Sequence, residues 1–127
     1  MQAIARLTIL AAATLASAAP AMAQPADAQK GKIVFMRCMA CHATATGAPA
    51  KMGPGLAGVV GRAAGQMPGY RYSPAMAQAK ITWTPANLDR WLQRPAAMVP
   101  GTTMAFAGLP DASERKAVIA YLGQLKP

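Results

Sequence analysis

The chain has 127 residues, a formal charge of +9, 54% hydrophobic residues, two cysteines and a single histidine. That inventory excludes a structural zinc site, which needs four nitrogen or sulfur ligands, and any metal centre held by two histidines. No internal repeat is visible, and the length amounts to one domain once an export segment is set aside.

Residues 1–23 open with a weakly basic Arg6, run through an apolar Ala/Leu/Ile stretch from Leu7 to about Ala19, and close with Ala21-Met22-Ala23 before Gln24. This is the pattern of a bacterial export signal with a small-x-small cleavage site. Residues 24–127 are therefore expected as the mature domain, in the periplasm. A retained membrane anchor is the alternative for a run of this length. Against it, Ala dominates the run, no Lys/Arg cluster marks a cytoplasmic stop, and Gln24 to about Ala28 leaves little tether. Losing Arg6 with the signal leaves twelve basic and four acidic residues, a mature charge of +8. Such a charge favours acidic partners or surfaces. The basic residues are dispersed and the compartment is exported, so nucleic acid is not an expected partner.

The mature chain reads as helices joined by long loops, without a period-2 strand. Asp27 is placed to N-cap a first helix in which Gly31, Val34, Phe35 and Cys38 fall on one face at i, i+3, i+4 and i+7. That face leads into Cys38-Met39-Ala40-Cys41-His42, which gathers both cysteines and the only histidine. C-x-x-C-H reads as c-type haem attachment, with two thioether bonds fixing the porphyrin and the adjacent imidazole reaching its iron. A thioredoxin-like dithiol would sit near a βαβ pattern, and no strand precedes Cys38. A Cys38–Cys41 disulfide would close too short a loop to stabilise much. Covalent haem attachment takes place after export, so signal and motif agree.

From Ala43 to Gly69 the chain holds seven glycines and three prolines and offers no periodic stretch to bury. Loops this long are uncommon in small domains. A porphyrin resolves the difficulty, because it supplies an apolar body that loops can wrap, and Gly53, Gly55, Gly58, Gly61 and Gly65 let the backbone turn tightly or approach it. The cofactor then acts as most of the core, and the haem-free chain is expected to be largely unfolded.

Ser73-Pro74 and Thr84-Pro85 each set an N-cap before a proline at the first helical position, opening one helix to about Lys80 and another to about Arg94, where Pro95 ends it. Asp111 with Glu114 three residues on has the form of a capping box, and Val118, Tyr121, Leu122 and Leu125 repeat at helical spacing. The expected fold class is all-α.

For a sixth iron ligand the residues offer a choice among Met52, Met67, Met76, Met98 and Met104. Most methionines pack gaps in cores. Met104 differs in context, since Pro95 stops a helix and Pro100-Gly101-Thr102-Thr103 makes a rigid turn from which it can project. Thioether ligation suits electron transfer, because it raises the potential relative to two imidazoles.

On these residues the chain resembles the class I cytochromes c, specifically the mitochondrial-like bacterial type that works as a periplasmic shuttle. The resemblance covers residues 28–125 and rests on G-K-I-V-F-M-R-C-M-A-C-H at 31–42, G-P-G-L-A-G-V-V-G-R at 53–62, G-Q-M-P-G-Y-R-Y-S at 65–73, P-G-T-T-M-A-F-A-G-L at 100–109 and V-I-A-Y-L at 118–122. The resemblance implies one haem c, held by Cys38 and Cys41, with iron between His42 and Met104. It implies that the second ring nitrogen of His42 donates to the carbonyl of Pro54. Arg62, Tyr72, Trp83 and Thr102 match positions that hydrogen-bond or neutralise the haem propionates, although Trp83 and Tyr72 taken alone would pass for ordinary core aromatics. Gly31 and Phe35 match a close contact between the first and last helices, where Tyr121 packs.

Three departures stand out. Trp91 occupies a position where mitochondrial members carry Tyr near the Met sulfur, and its N–H can donate but not accept. Met76 stands where they carry Asn. Segments that are lysine-rich around their haem edge read here as Ala96, Ala97, Thr103, Pro110, Asp111 and Ala112, leaving Arg37, Lys51 and Arg94.

The resemblance thus implies a monomeric one-electron carrier, not an enzyme, with no small-molecule substrate. Its partners would be membrane redox complexes or periplasmic redox enzymes with acidic docking surfaces: a quinol-oxidising complex as donor, a terminal oxidase or reaction centre as acceptor. The alternatives are the dedicated electron acceptor of a periplasmic dehydrogenase and a peroxidase-like or gas-binding haem protein with open iron.

Overall fold

The structure is a computed structural model that describes residues 26–127. The expected export signal at 1–23 lies outside the described residues. Five helices follow in chain order: α1 (Ala26–Phe35), α2 (Pro74–Gln78), α3 (Pro85–Gln93), α4 (Pro95–Met98) and α5 (Ala112–Leu122). The fold is all-α, as expected; extended pairing among the described residues is limited to one antiparallel bridge between Ala63 and Thr82.

Helix α1 buries Ala28, Gly31, Val34 and Phe35 against α5; the last three belong to the expected stripe, whose fourth member, Cys38, lies past the helix end and is half-buried. The two axes approach closely because residue 31 has no side chain. A Cβ there would collide with the carbonyl of Ala117 and approach Tyr121 Cβ to 2.9 Å. One turn on, the rings of Phe35 and Tyr121 pack at 5.2 Å with a 52° tilt. Val118 and Phe35 are among the most completely buried side chains.

Several helix ends differ from the sequence reading, each for a local reason. Asp27 lies inside the first turn of α1 rather than capping it, because the helix is already formed at Ala26. Its carboxylate there faces Lys116 Nζ at 3.3 Å, on α5. Helix α2 is capped by Ser73, whose Oγ accepts from Met76 N at 3.2 Å, but stops at Gln78 rather than Lys80. The chain becomes extended at Ala79, which lets Ile81 O accept from Ala64 N at 2.8 Å. Thr84 caps α3 through Asn87 N at 3.2 Å. Pro95 both ends α3 and starts α4: it forces Arg94 out of helical geometry (φ −159°) and serves as the first residue of the next turn, where a missing N–H costs nothing. Asp111 caps α5, accepting from Ser113 N at 2.7 Å and Glu114 N at 3.0 Å. Glu114 does not close the capping box. Its carboxylate takes two bonds from Arg37, at 2.8 and 3.0 Å, a charge-assisted fork that outcompetes a single backbone amide.

Between α1 and α2 the glycine-rich segment divides in two. Gly58, Gly61 and Gly65 have φ of +64°, +87° and +71° and make turns. Gly53 and Gly55 are not left-handed; they are pressed against His42 and Met67.

Candidate cofactor site

Past Phe35 the helical path tightens into three-residue turns, with Cys38 N bonding Phe35 O at 2.8 Å. Cys41 N and His42 N then both bond Cys38 O, at 3.1 and 2.9 Å. This coil sets both thiols and the imidazole on the wall of one cavity. Cys38 and Cys41 are not disulfide-linked. Burial pushes the Cys38 thiol pKa up, against the opposing pull of Arg37.

His42 Nδ1 lies 2.7 Å from Pro54 O. A carbonyl only accepts, so Nδ1 carries the proton and Nε2 keeps its lone pair. Burial holds the imidazolium pKa below its ordinary value, with the Pro54 bond opposing, so the ring is neutral at neutral pH. Neutral imidazole with a pinned second nitrogen is the form that ligates a metal.

Thr102 and Met104 line the same cavity. Their turn is fixed by Thr102 N to Val99 O at 3.1 Å and by Met104 N donating to Thr102 Oγ1 at 3.3 Å. The Ala63–Thr82 bridge brings two further members together: Trp83 N donates to Arg62 O at 2.9 Å. The Arg62 guanidinium donates to Gly55 O at 3.0 Å and Ala57 O at 3.2 Å, and no carboxylate pairs with it among the described residues. Tyr72 Oη accepts from Met67 N at 3.3 Å, and burial raises the phenol pKa. The rings of Trp83 and Trp91 pack at 5.4 Å, both buried.

Cys38, Cys41, His42, Pro54, Arg62, Tyr72, Trp83, Trp91, Thr102 and Met104 thus all face one cavity. Two residues with clear structural roles escaped the sequence reading. Tyr70 stacks edge-on against Tyr72 at 4.7 Å and donates to Met52 O at 2.8 Å; it sits in a recognised motif, yet nothing in its spacing sets it apart. Arg115 is buried, and its only sequence signal is a charge on the apolar side of α5.

The donor set fits a haem. Aromatic and aliphatic walls suit a flat apolar ring, paired thiols and an imidazole stand at one edge, and a guanidinium without a carboxylate can receive an acidic substituent. Fold and site together define a c-type haem protein. The cytochrome c family model matches residues 28–126, and the chain belongs to that family. It is 45% identical over 96 residues to a cytochrome c2 of Rhodomicrobium vannielii, covering 76% of this chain and 77% of the relative. It is 44% identical over 98 residues to cytochrome c-550 of Nitrobacter winogradskyi, covering 77% and 90%. Among solved structures, cytochrome cH from Methylobacterium extorquens superposes with a TM-score of 0.73 at 41% identity, covering 76% of this chain and 97% of that one. Membership brings covalently attached haem c with its iron, the class I fold, and electron carriage rather than catalysis.

Proposed function

We propose that the chain is a periplasmic one-electron shuttle, exported by cleavage after about Ala23, that carries electrons from a membrane quinol-oxidising complex to a terminal oxidase or reaction centre. His42 and Met104 would hold its haem iron. One observation carries this reading: an imidazole with its Nδ1 proton committed to Pro54 and a thioether on a separately braced turn line a single cavity. When bound, the haem iron supplies a reversible Fe(III)/Fe(II) couple.

The chain's own residues determine how that couple is held. Cys38 and Cys41 anchor the ring covalently, and Pro54 fixes the tautomer and basicity of His42. Arg62, Tyr72, Trp83 and Thr102 receive the propionates, which would be costly to bury unpaired. Trp91, in the same cavity wall as Met104, brings an N–H donor where mitochondrial members carry a hydroxyl, a difference that bears on potential and alkaline stability.

Absorption spectra test the ligand set. The holoprotein is expected to be six-coordinate and low-spin in both oxidation states, with the long-wavelength Met-to-iron charge-transfer band in the ferric form. Met104→Ala should abolish the band and open the iron to CO. A band that survives in Met104→Ala and disappears in Met98→Ala would move the assignment to Met98.

A further inference from the structure

The peptide unit that joins Pro54 to Gly55 is hydrogen-bonded at both ends. Its carbonyl accepts from His42 Nδ1 at 2.7 Å, and its amide, Gly55 N, donates to Met67 Sδ at 2.9 Å. A continuous chain of polar groups thus runs from the imidazole, through one peptide, to a thioether that is not part of the cavity wall.

Local structure places the sulfur there. Met67-Pro68-Gly69-Tyr70 makes a turn closed by Tyr70 N to Met67 O at 3.4 Å, and proline second with Gly69 third at φ +76° fits a type II turn. Met67 N donates to Tyr72 Oη at 3.3 Å, which fixes the backbone from which the side chain projects. Gly55 admits the thioether because it has no side chain: a Cβ there would meet Met67 Cε at 2.9 Å and Sδ at 3.5 Å. On its other side Gly55 is held by Arg62, which donates to Gly55 O at 3.0 Å. Gly55 is buried, and among the described residues Met67 Sδ is the acceptor for its amide. A buried amide left without an acceptor is costly, so the sulfur satisfies a group that the close approach of this loop to the imidazole would otherwise leave bare.

Hydrogen-bonded groups in a chain polarise one another. An acceptor on the N–H of a peptide makes its carbonyl oxygen more negative. The Pro54 oxygen then holds the Nδ1 proton of His42 more strongly, and the imidazole becomes a more basic donor through Nε2. A more basic donor favours ferric over ferrous iron.

We propose that Met67 is a positioning residue for His42: its thioether, acting through the Pro54–Gly55 peptide, holds down the reduction potential of the bound haem. The inference rests on the reading of His42 as a ligand to iron, and adds a residue two hydrogen bonds removed from the ring. Substitution at 67 leaves the backbone amide that serves Tyr72 in place, so variants act on the sulfur alone.

Met67→Leu removes the acceptor at similar volume, and Met67→Gln supplies a carbonyl oxygen, a stronger acceptor than a thioether. Both holoproteins are compared with the unmodified one by redox titration, by proton–nitrogen NMR of the ferrous form and by thermal unfolding. The potential should rise in Met67→Leu and fall in Met67→Gln, each by roughly two- to fivefold in the ferric–ferrous equilibrium constant, where tenfold is about 59 mV for one electron. The His42 Nδ1–H and Gly55 N–H resonances should move upfield in the first and downfield in the second. A role in packing alone would lower the unfolding temperature of both variants and move their potentials in the same direction or not at all; either pattern overturns the proposal. Should Met67→Leu fail to assemble, Met67→Gln decides, and a potential at or above that of the unmodified protein overturns the proposal. In the unmodified ferrous protein the His42 ring protons should carry the large upfield ring-current shift of a ligand held over the porphyrin. Absence of that shift would overturn the ligand reading and this inference with it, whereas equal potentials with the shift present overturn this inference alone.

Discussion

The Nδ1 of His42 bonds the carbonyl of Pro54 at 2.7 Å, and the residue before that proline touches the same ring. A Cβ on Gly53 would meet His42 Cε1 at 2.5 Å. Gly53 N is itself tied to Cys41 O at 2.7 Å, so the loop is strapped to the attachment segment and lies against the imidazole. One short segment therefore fixes the tautomer, limits ring rotation and closes one wall of the cavity.

Gly53→Ala forces the ring and the strap apart. Overpacking of this kind costs about 1–3 kcal/mol. Lengthening the Pro54 bond also makes the imidazole a weaker donor to the iron, so the midpoint potential should rise. Redox titration beside thermal unfolding checks both; a potential equal to that of the unmodified protein would show that the strap does not tune the ligand.

Gly31→Ala tests the contact of α1 with α5. The new methyl must displace the Ala117 carbonyl, which is backbone and cannot swing aside, so the helices separate and the Phe35–Tyr121 contact loosens. The expected loss is about 1–3 kcal/mol in guanidinium unfolding of the holoprotein, with the absorption spectrum unchanged.

Arg115 ties α5 to two other segments. Its Nε donates to Asp89 Oδ1 at 2.8 Å on α3, and its Nη1 donates to Leu109 O at 2.9 Å and Pro110 O at 2.8 Å, on the strand of chain that returns from Met104. Arg115→Met keeps the bulk but removes the donors that serve these carbonyls, at a cost of about 2–4 kcal/mol. Asp89→Asn should cost less, because the Asp89 side chain is 42% exposed and water can replace its partner. Equal losses from the two substitutions would place the stabilisation in the ion pair rather than in the carbonyl contacts.

What the sequence made legible was what local chemistry dictates. Ser73, Thr84 and Asp111 cap helices because short polar side chains before a helical run satisfy its first amides, and each does so within three residues. C-x-x-C-H named its cofactor for the same reason. Contacts that depend on distant residues were not legible from spacing. Glu114 looked like half of a capping box and instead pairs with Arg37, 77 positions away. Pro95 looked like a stop and also begins α4. Resemblance supplied the grouping of Arg62, Trp83 and Tyr72; the physical cause for the first two is the Ala63–Thr82 bridge, which is too short to leave an alternating pattern, and Tyr72 is held by the amide of Met67.

Cys38→Ala combined with Cys41→Ala removes the covalent anchor. The long segment between α1 and α2 has no helix, and its residues Val59 and Ala64 pack into a core whose other side is the cofactor cavity. Without haem these loops lose the surface they wrap, so the exported double variant should show little helix by circular dichroism and rapid proteolysis. A cooperative thermal transition in that variant would mean that the α1–α5 contact folds the chain unaided.

Asp111 gives the fold an acid-side dependence that can be isolated. The Ser113 hydroxyl, then the amides of Glu114 and Ser113, hold its carboxylate pKa below the ordinary 3.8, and Lys30 adds to the effect. The charged form is thus favoured in the folded state, and its contribution is complete above the ordinary pKa and fades as the pH falls through the lower folded value. Asp111→Asn keeps a capping oxygen and removes only the charge. The unmodified protein should therefore melt higher than Asp111→Asn near neutral pH, and the two melting curves should converge once the pH drops below the folded-state pKa. The other carboxylates, Asp27, Asp89 and Glu114, are present in both proteins, so the comparison isolates residue 111. A melting difference that stays constant from neutral pH into that acid range would assign the stabilisation to the hydrogen-bonding oxygen and not to its charge.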